Sequence, residues 1–345
     1  MEERPRQLST GLLTGSNETG VSPSNRGAKW RGILTDYLGM GLALIGLIAV
    51  FSLSTNHFFS LPTFRTIANQ IPDSVIVAVG MTFIIIIGGI DLSVGSVLAL
   101  SGAALGFSLV NLKLPLPVAI VCCLCVGLIC GAINGLVTIR WSLPSFIVTL
   151  GMLEIARGGA YLATNSQTLY IGAAVERIAE SSILGLSLPF VLAVLIVVVG
   201  QVMLSRTVFG RYLVAIGTNE EAVRLSGIDT RPIKLTVFAL CGLLTAVAAV
   251  IHSSRLSSAN PNAGIGFELQ AIAAVVIGGT SLMGGRGSVV NTFFGVLIIA
   301  VLGTGLAQIG AQEPTKRLVT GCVIVAAVII DYYRRRLETS KSRSK

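Results

Sequence analysis

The chain has 345 residues, 53% of them hydrophobic and only 12% charged, with a mean hydropathy of +0.83. Soluble domains carry about 25% charged residues, so a soluble core is excluded and a lipid bilayer is the solvent that fits. The net charge of +9 does not point to nucleic acid. Lys and Arg lie in the tails and a few inter-segment loops, without an aromatic-interleaved basic stripe, and there they serve as topology signals and contacts for anionic lipid head groups.

Residues 1–36 are polar and rich in Gly, Ser, Asn and Thr, the composition of a disordered cytoplasmic tail. The tail is too long for the n-region of a secretory signal, and no small-x-small cleavage site follows the first apolar run, so that run is expected to be a retained anchor. About 20 apolar residues cross a bilayer as a helix. Runs of that kind occur at 37–55, 72–90, 93–110, 117–138, 143–163, 188–205, 233–252, 268–283, 289–308 and 318–333. The expectation is an all-α, polytopic membrane bundle over 37–335, with about ten transmembrane helices and a basic cytoplasmic tail at 336–345. The run at 268–283 is short enough to be broken or re-entrant.

Charge placement agrees with a cytoplasmic N-terminus. Of the 25 Lys and Arg, only Arg65, Lys113, Arg157, Arg177, Arg255, Lys316 and Arg317 fall in outside loops or within spans. The others lie on the inside, as the positive-inside rule requires, and an even number of spans puts both termini there. Four of the six cysteines, Cys122, Cys123, Cys125 and Cys130, share one apolar run. No histidine is near enough to complete a metal set, so they read as small packing residues, and neither a metal nor a cofactor is expected.

Two stretches resemble each other. Gly88-Gly89-Ile90-Asp91-Leu92 is followed by Gly95-Ser96-Val97, and Gly278-Gly279-Thr280-Ser281-Leu282 by Gly287-Ser288-Val289. Each joins an inward-running helix to an outward-running one, and repeated interrupted helices recur in transporters.

Polar groups inside spans are candidates for a translocation path, because lipid makes them costly. Glu154 and Arg157 sit three apart on one helix face, placed either to pair with each other or to touch a solute. Asp91 reads equally as a helix cap or a path residue. Asn134, Asn260 and Asn291 have two readings as well, hydrogen bonding to a solute or bridging between helices.

The longest and most charged internal loop is 206–232, containing Gly217-Thr218-Asn219-Glu220-Glu221-Ala222-Val223-Arg224-Leu225-Ser226-Gly227-Ile228. Thr218 with Glu221 has capping-box spacing, the two acids suit a helix N-terminus, and Gly227 followed by Pro232 ends the helix. A short extramembrane helix is expected, presenting Ala222, Val223 and Leu225.

That pattern resembles the coupling-loop motif of permease subunits in bacterial ABC importers for ribose and related monosaccharides. Gly88–Ser96, Pro144-Ser145-Phe146-Ile147-Val148-Thr149-Leu150-Gly151-Met152 and Gly278–Gly287 resemble other motifs of the same family, in the same order, over about 37–335. The resemblance implies a permease in the bacterial inner membrane, paired with a second copy or a paralogue. It further implies a cytoplasmic ATP-binding subunit that engages Gly217, Asn219, Glu220, Glu221, Ala222, Arg224 and Gly227, and a periplasmic sugar-binding protein outside. A separate ATPase is consistent with the absence of a P-loop here, since Gly279–Gly285 lacks the required lysine. Rival readings are a stand-alone secondary transporter or channel, which needs an ionisable cluster near the midplane, and a membrane enzyme, for which no GxSxG or HExxH motif is present.

Overall fold

In the computed structural model, residues 25–329 are described, except 56, 184, 324, 327 and 328. The expected tail up to residue 24, the basic tail 336–345 and most of 318–333 beyond residue 323 lie outside them. The chain divides after Gly39 into two units, and the helical bundle is the unit from Met40 onward.

The helices are α1 (Asn25–Ser54), α2 (Leu61–Gln70), α3 (Pro72–Ile86), α4 (Val94–Val110), α5 (Leu116–Arg140), α6 (Ser145–Ala163), α7 (Ala173–Glu180), α8 (Leu188–Arg206), α9 (Val208–Leu225), α10 (Arg231–Leu256), α11 (Phe267–Ile277) and α12 (Val289–Gln308). The only strands among the described residues are two-residue pieces, Leu169–Tyr170 paired with Ser258–Ala259 and Ser182–Ile183 with Leu186–Ser187. The fold is all-α and polytopic. Five helices are long and apolar enough to cross a membrane alone, namely α5, α6, α8, α10 and α12, and six spans result if α2 and α3, bent by 47°, count as one. The first predicted span, α4 and α11 are shorter apolar helices, so length and composition support five or six of the ten expected spans.

The centre is α3. Every residue of it except Ser74 is buried, as expected of a helix that is apolar on all sides. Around it pack α8, α10, α11 and α12. The tightest neighbours elsewhere are α5 and α10. Gly127, Gly131 and Gly135 recur every fourth residue on α5, and a methyl group at Gly127 or Gly131 would overlap the carbonyl oxygen of Gly242 or Phe238 on α10. Lipid provides no hydrophobic drive between helices, so this small-residue seam holds α5 to α10 by close van der Waals contact.

Two helix pairs are interrupted in the same way. After α3, Gly88 N–H reaches the Ile85 carbonyl and Gly89 N–H the Ile84 carbonyl, both at 2.9 Å. After α11, Gly279 N–H reaches Val276 at 2.8 Å and Thr280 N–H reaches Val275 at 3.1 Å. Gly88 (φ +76°) and Gly279 (φ +78°) are the left-handed residues that permit these caps. The repeat read from sequence is therefore structural, shifted by one: Gly88 matches Gly279, not Gly278. The Gly cap also explains why α11 spans only 11 residues, against the longer run expected there.

The stretch before α11 is not helical. A methyl group at Gly106 of α4 would lie 2.7 Å from Ala259 Cβ, while one at Gly95 of α4 would overlap the Gly264 carbonyl oxygen. At a rise of 1.5 Å per residue, 259–264 thus runs along α4 for about 16 Å before α11 begins.

Candidate functional site

A non-helical backbone inside a bilayer must find all its hydrogen bonds in the protein. For the stretch between α3 and α4, α6 supplies several of them. Ile90 N–H donates to Ser145 Oγ at 2.9 Å and Leu92 N–H to Thr149 Oγ1 at 3.0 Å, while Thr149 returns its proton to the Ile90 carbonyl at 3.3 Å. The Pro144–Met152 and Gly88–Ser96 motifs therefore belong to one joint. Farther along α6, Arg157 Nη1 donates to the carbonyls of Pro261 and Ala263 at 2.6 and 2.8 Å, and Tyr161 Oη donates to Asn262 Oδ1 at 2.6 Å. Ser145, Thr149, Arg157 and Tyr161 belong to one i+4 ridge, so a single helix splints both irregular segments.

Asp91 is buried and accepts from Ser93 N–H at 2.8 Å and Ser93 Oγ at 2.6 Å. Asn134 Nδ2 donates to the same Ser93 Oγ at 2.9 Å, so the structure brings Asp91 and Asn134 together at the start of α4. Asn134 Oδ1 is buried without a partner. Of the two readings of Glu154 and Arg157, the mutual pair does not form. Arg157 is held by the two carbonyls and Glu154 is exposed, because carbonyls without a helical partner in the non-helical stretch before α11 compete for the guanidinium. Asn260 Oδ1 accepts from Asn262 N–H at 2.8 Å, shaping the turn that Arg157 clasps. Asn291 stands apart at the start of α12, with its buried Oδ1 also unpartnered.

None of these six lines the cleft of about 560 Å³ formed by the α2–α3 junction, α11, α12 and the chain after Gln312. Its polar lining includes Gln70, Ser74, Gln270, Thr304 and Lys316. Sequence reading passed over Gln70, Ser74 and Gln270, although each is a polar residue at the edge of an apolar run. It also missed Asp73, whose buried carboxylate takes His252 Nδ1 at 2.8 Å and Arg255 Nη2 at 3.1 Å, tying α3 to the end of α10.

At the opposite end of α10 lies 206–232. Much of it is helical: α9 begins at Val208, capped by Thr207 Oγ1, which accepts from Gly210 N–H at 3.2 Å, and it is interrupted at Asn219 (φ −161°, ψ 96°). The short helix after the kink is capped by Asn219, not by the expected Thr218–Glu221 box. Asn219 Oδ1 accepts from Ala222 N–H at 3.0 Å, while Thr218 Oγ1 turns back to the Val214 carbonyl at 2.7 Å. Glu221 pairs with Arg224 instead, at 3.4 Å. Gly227, at φ +84°, ends the helix as anticipated.

Val223 is buried, not presented. The outward face consists of Glu221, Ala222, Arg224 and Leu225, the last 81% exposed. Glu220 faces inward, accepting from Lys234 Nζ at 3.0 and 3.2 Å and from Thr230 Oγ1 at 2.9 Å. Partial burial pushes its carboxyl pKa upward, but the hydrogen bonds from Lys234 and Thr230 and the charges of Lys234 and Arg224 outweigh this and hold it below the ordinary value. Gly217 is not on the outward face; it is packed against other backbone.

Known proteins resemble this chain over most of its length. The chain is 41% identical to the ribose import permease protein of Haemophilus influenzae, over 85% of this chain and 92% of that protein. It is 40% identical to the ribose import permease protein of Escherichia coli K12, over 84% and 92%, and 35% identical to the fructose import permease protein of Rhizobium meliloti, over 85% and 84%. No solved structure matches the chain. The family described as branched-chain amino acid transport system / permease component matches residues 63–328, and the chain belongs to that family of multi-pass membrane transport permeases.

Proposed function

We propose that this chain is the membrane-spanning subunit of an ATP-driven importer for a monosaccharide of the ribose class. A binding protein delivers the sugar on the outer side, and a separate cytoplasmic ATPase subunit supplies the work. A second copy or a close paralogue completes the permease, and both termini lie in the cytoplasm. The sugar class rests on the names of the relatives, which are ribose and fructose import permeases.

The observation that carries the coupling role is the short capped helix outside the spans, in the segment that resembles the coupling-loop motif. Its outward face presents Leu225, 81% exposed, as an apolar contact for a protein partner. Glu221 and Arg224 flank it with opposite charges and give the contact a polar rim. The helix is held in place by Glu220, so a partner gripping its outward face pulls on the bundle.

The chain itself carries no P-loop lysine, and ATP hydrolysis is assigned to the partner. Leu225→Asp should abolish co-purification of the ATPase from detergent-solubilised membranes while the permease still inserts in normal amount. Wild-type recovery of the ATPase with this variant would refute the docking role of the helix.

A further inference from the structure

Three stretches far apart in sequence meet backbone to backbone at the coupling-segment end of the bundle. They are Ile86–Gly88 at the end of α3, Gly284–Gly285 before α12, and Gly217–Thr218 just ahead of the short helix. Gly285 N–H donates to the Ile86 carbonyl at 2.8 Å. A methyl group at Gly217 would overlap that same carbonyl oxygen and the Gly285 nitrogen. One at Gly284 would lie 2.8 Å from the Gly217 oxygen and 3.1 Å from the Gly88 nitrogen, and one at Gly285 would lie 2.6 Å from Thr218 Oγ1. Each glycine is required here by close approach, and Gly284 (φ +84°) and Gly285 (φ +75°) by conformation as well.

We infer that this three-way glycine contact carries the displacement of the short helix into both interrupted hairpins, α3–α4 and α11–α12, which makes Gly217, Gly284 and Gly285 positioning residues of the transport cycle. The inference rests on the importer reading, with an ATPase gripping the outward face of the helix.

Stiffness is the physical reason. Between the contact and the short helix lies only Asn219. Thr218 is fixed by its bond to Val214, and the side chain of Asn219 caps the helix. Contacts between backbones have no rotamers to absorb a shift of an ångström, and packed interfaces switch between discrete arrangements instead of deforming smoothly. The other link from the short helix, Glu220 to Lys234, holds it in place but runs through two long side chains, so it passes on a shift less strictly than a backbone contact does. Beyond the contact, Thr82 Oγ1 and Thr292 Oγ1 hydrogen-bond at 2.9 Å, and a methyl group at Gly287 would lie 2.8 Å from Ile86 side-chain atoms. Motion of α3 at the contact therefore moves α12 with it.

Gly284→Ala and Gly279→Ala separate contact from backbone strain. Both glycines are left-handed, but nothing lies within 4 Å of a methyl group at Gly279. The test uses the complete importer in liposomes, permease with ATPase and binding protein. Gly284→Ala should co-purify with the ATPase and keep basal ATP hydrolysis, yet lose stimulation by the binding protein and sugar uptake at least tenfold, while Gly279→Ala stays within twofold of wild type. Gly285→Ala should fail in the same way and recover part of its stimulation when Thr218→Ala removes the nearest atom. Uptake by Gly284→Ala equal to that of Gly279→Ala would overturn the inference. Loss of ATPase binding in Gly284→Ala would also overturn it, by placing Gly284 in docking or folding. Failure of the wild-type permease to capture an ATPase would instead sink the importer reading, and this inference with it.

Discussion

The tether between Glu220 and Lys234 offers the most direct perturbation of the coupling segment. Lys234 Nζ donates to both carboxylate oxygens of Glu220, at 3.0 and 3.2 Å. The side chains are 21% and 40% exposed for Lys234 and Glu220, so solvent screening reduces the pair to about 1 kcal/mol, the upper end of the range for exposed ion pairs. Loss of the pair lets the short helix leave its docking position. Apparent affinity for a partner falls with the fraction of molecules in the competent state, and about 1 kcal/mol changes the ratio of competent to displaced molecules about fivefold. Lys234→Ala should therefore weaken binding of the ATPase to the permease in detergent by up to about fivefold, read by biolayer interferometry. Glu220→Lys should do more harm, because it sets like charges together and places a cation at the helix N-terminus. Combining Glu220→Lys with Lys234→Glu should recover most of the loss. A double variant no better than the worse single one would show that the two groups do not act on each other, and the reasoning would fail.

Acid acts on the same tether. The Glu220 carboxyl is held below its ordinary value, so its contribution is fully present above the unfolded value and is lost as pH falls through the lower folded one. ATPase binding should thus be flat from about pH 8 to about 5 and weaken only below about 4.5; a midpoint near about pH 6 in a titration would contradict this assignment. Arg157→Ala strands the Pro261 and Ala263 carbonyls, and unpaired buried acceptors cost about 1–3 kcal/mol each. Its melting temperature in detergent should drop by several degrees, with Arg157→Lys in between. Glu154→Ala should leave the melting temperature unchanged, whereas a buried Glu154–Arg157 pair would make it as damaging as Arg157→Ala. Ser145→Ala combined with Thr149→Val should destabilise by a comparable amount, through the amides of Ile90 and Leu92. An unaltered melting curve would remove α6 as the splint.

Much of this architecture is legible in the residues because hydropathy and glycine act locally. The long spans 117–138, 188–205 and 289–308 lie close to α5, α8 and α12, since an unbroken apolar run has one stable form in lipid. Gly227 and the paired Gly-rich joints were legible for the same reason, since a left-handed cap is a property of a few neighbouring residues. What escaped was decided by distant partners. Capping by Asn219 instead of Thr218 follows from the backbone break between the two halves of α9. Arg157 was matched with Glu154 by spacing along one helix, yet its acceptors belong to a loop 104 to 106 residues away. The inward turn of Glu220 depends on Lys234, on α10, and on Thr230 just before it. The glycine contact joins three segments that no sequence periodicity links.

The central claim is that this permease moves a ribose-class sugar only when coupled to an ATPase. The measurement that bears on it most directly is uptake of radiolabelled ribose and related pentoses into proteoliposomes holding the permease, the co-purified ATPase and the binding protein, with and without ATP. Accumulation that requires ATP and the binding protein, and that disappears with Leu225→Asp, is the predicted result. Equal uptake by the permease alone, without ATP, would contradict the account.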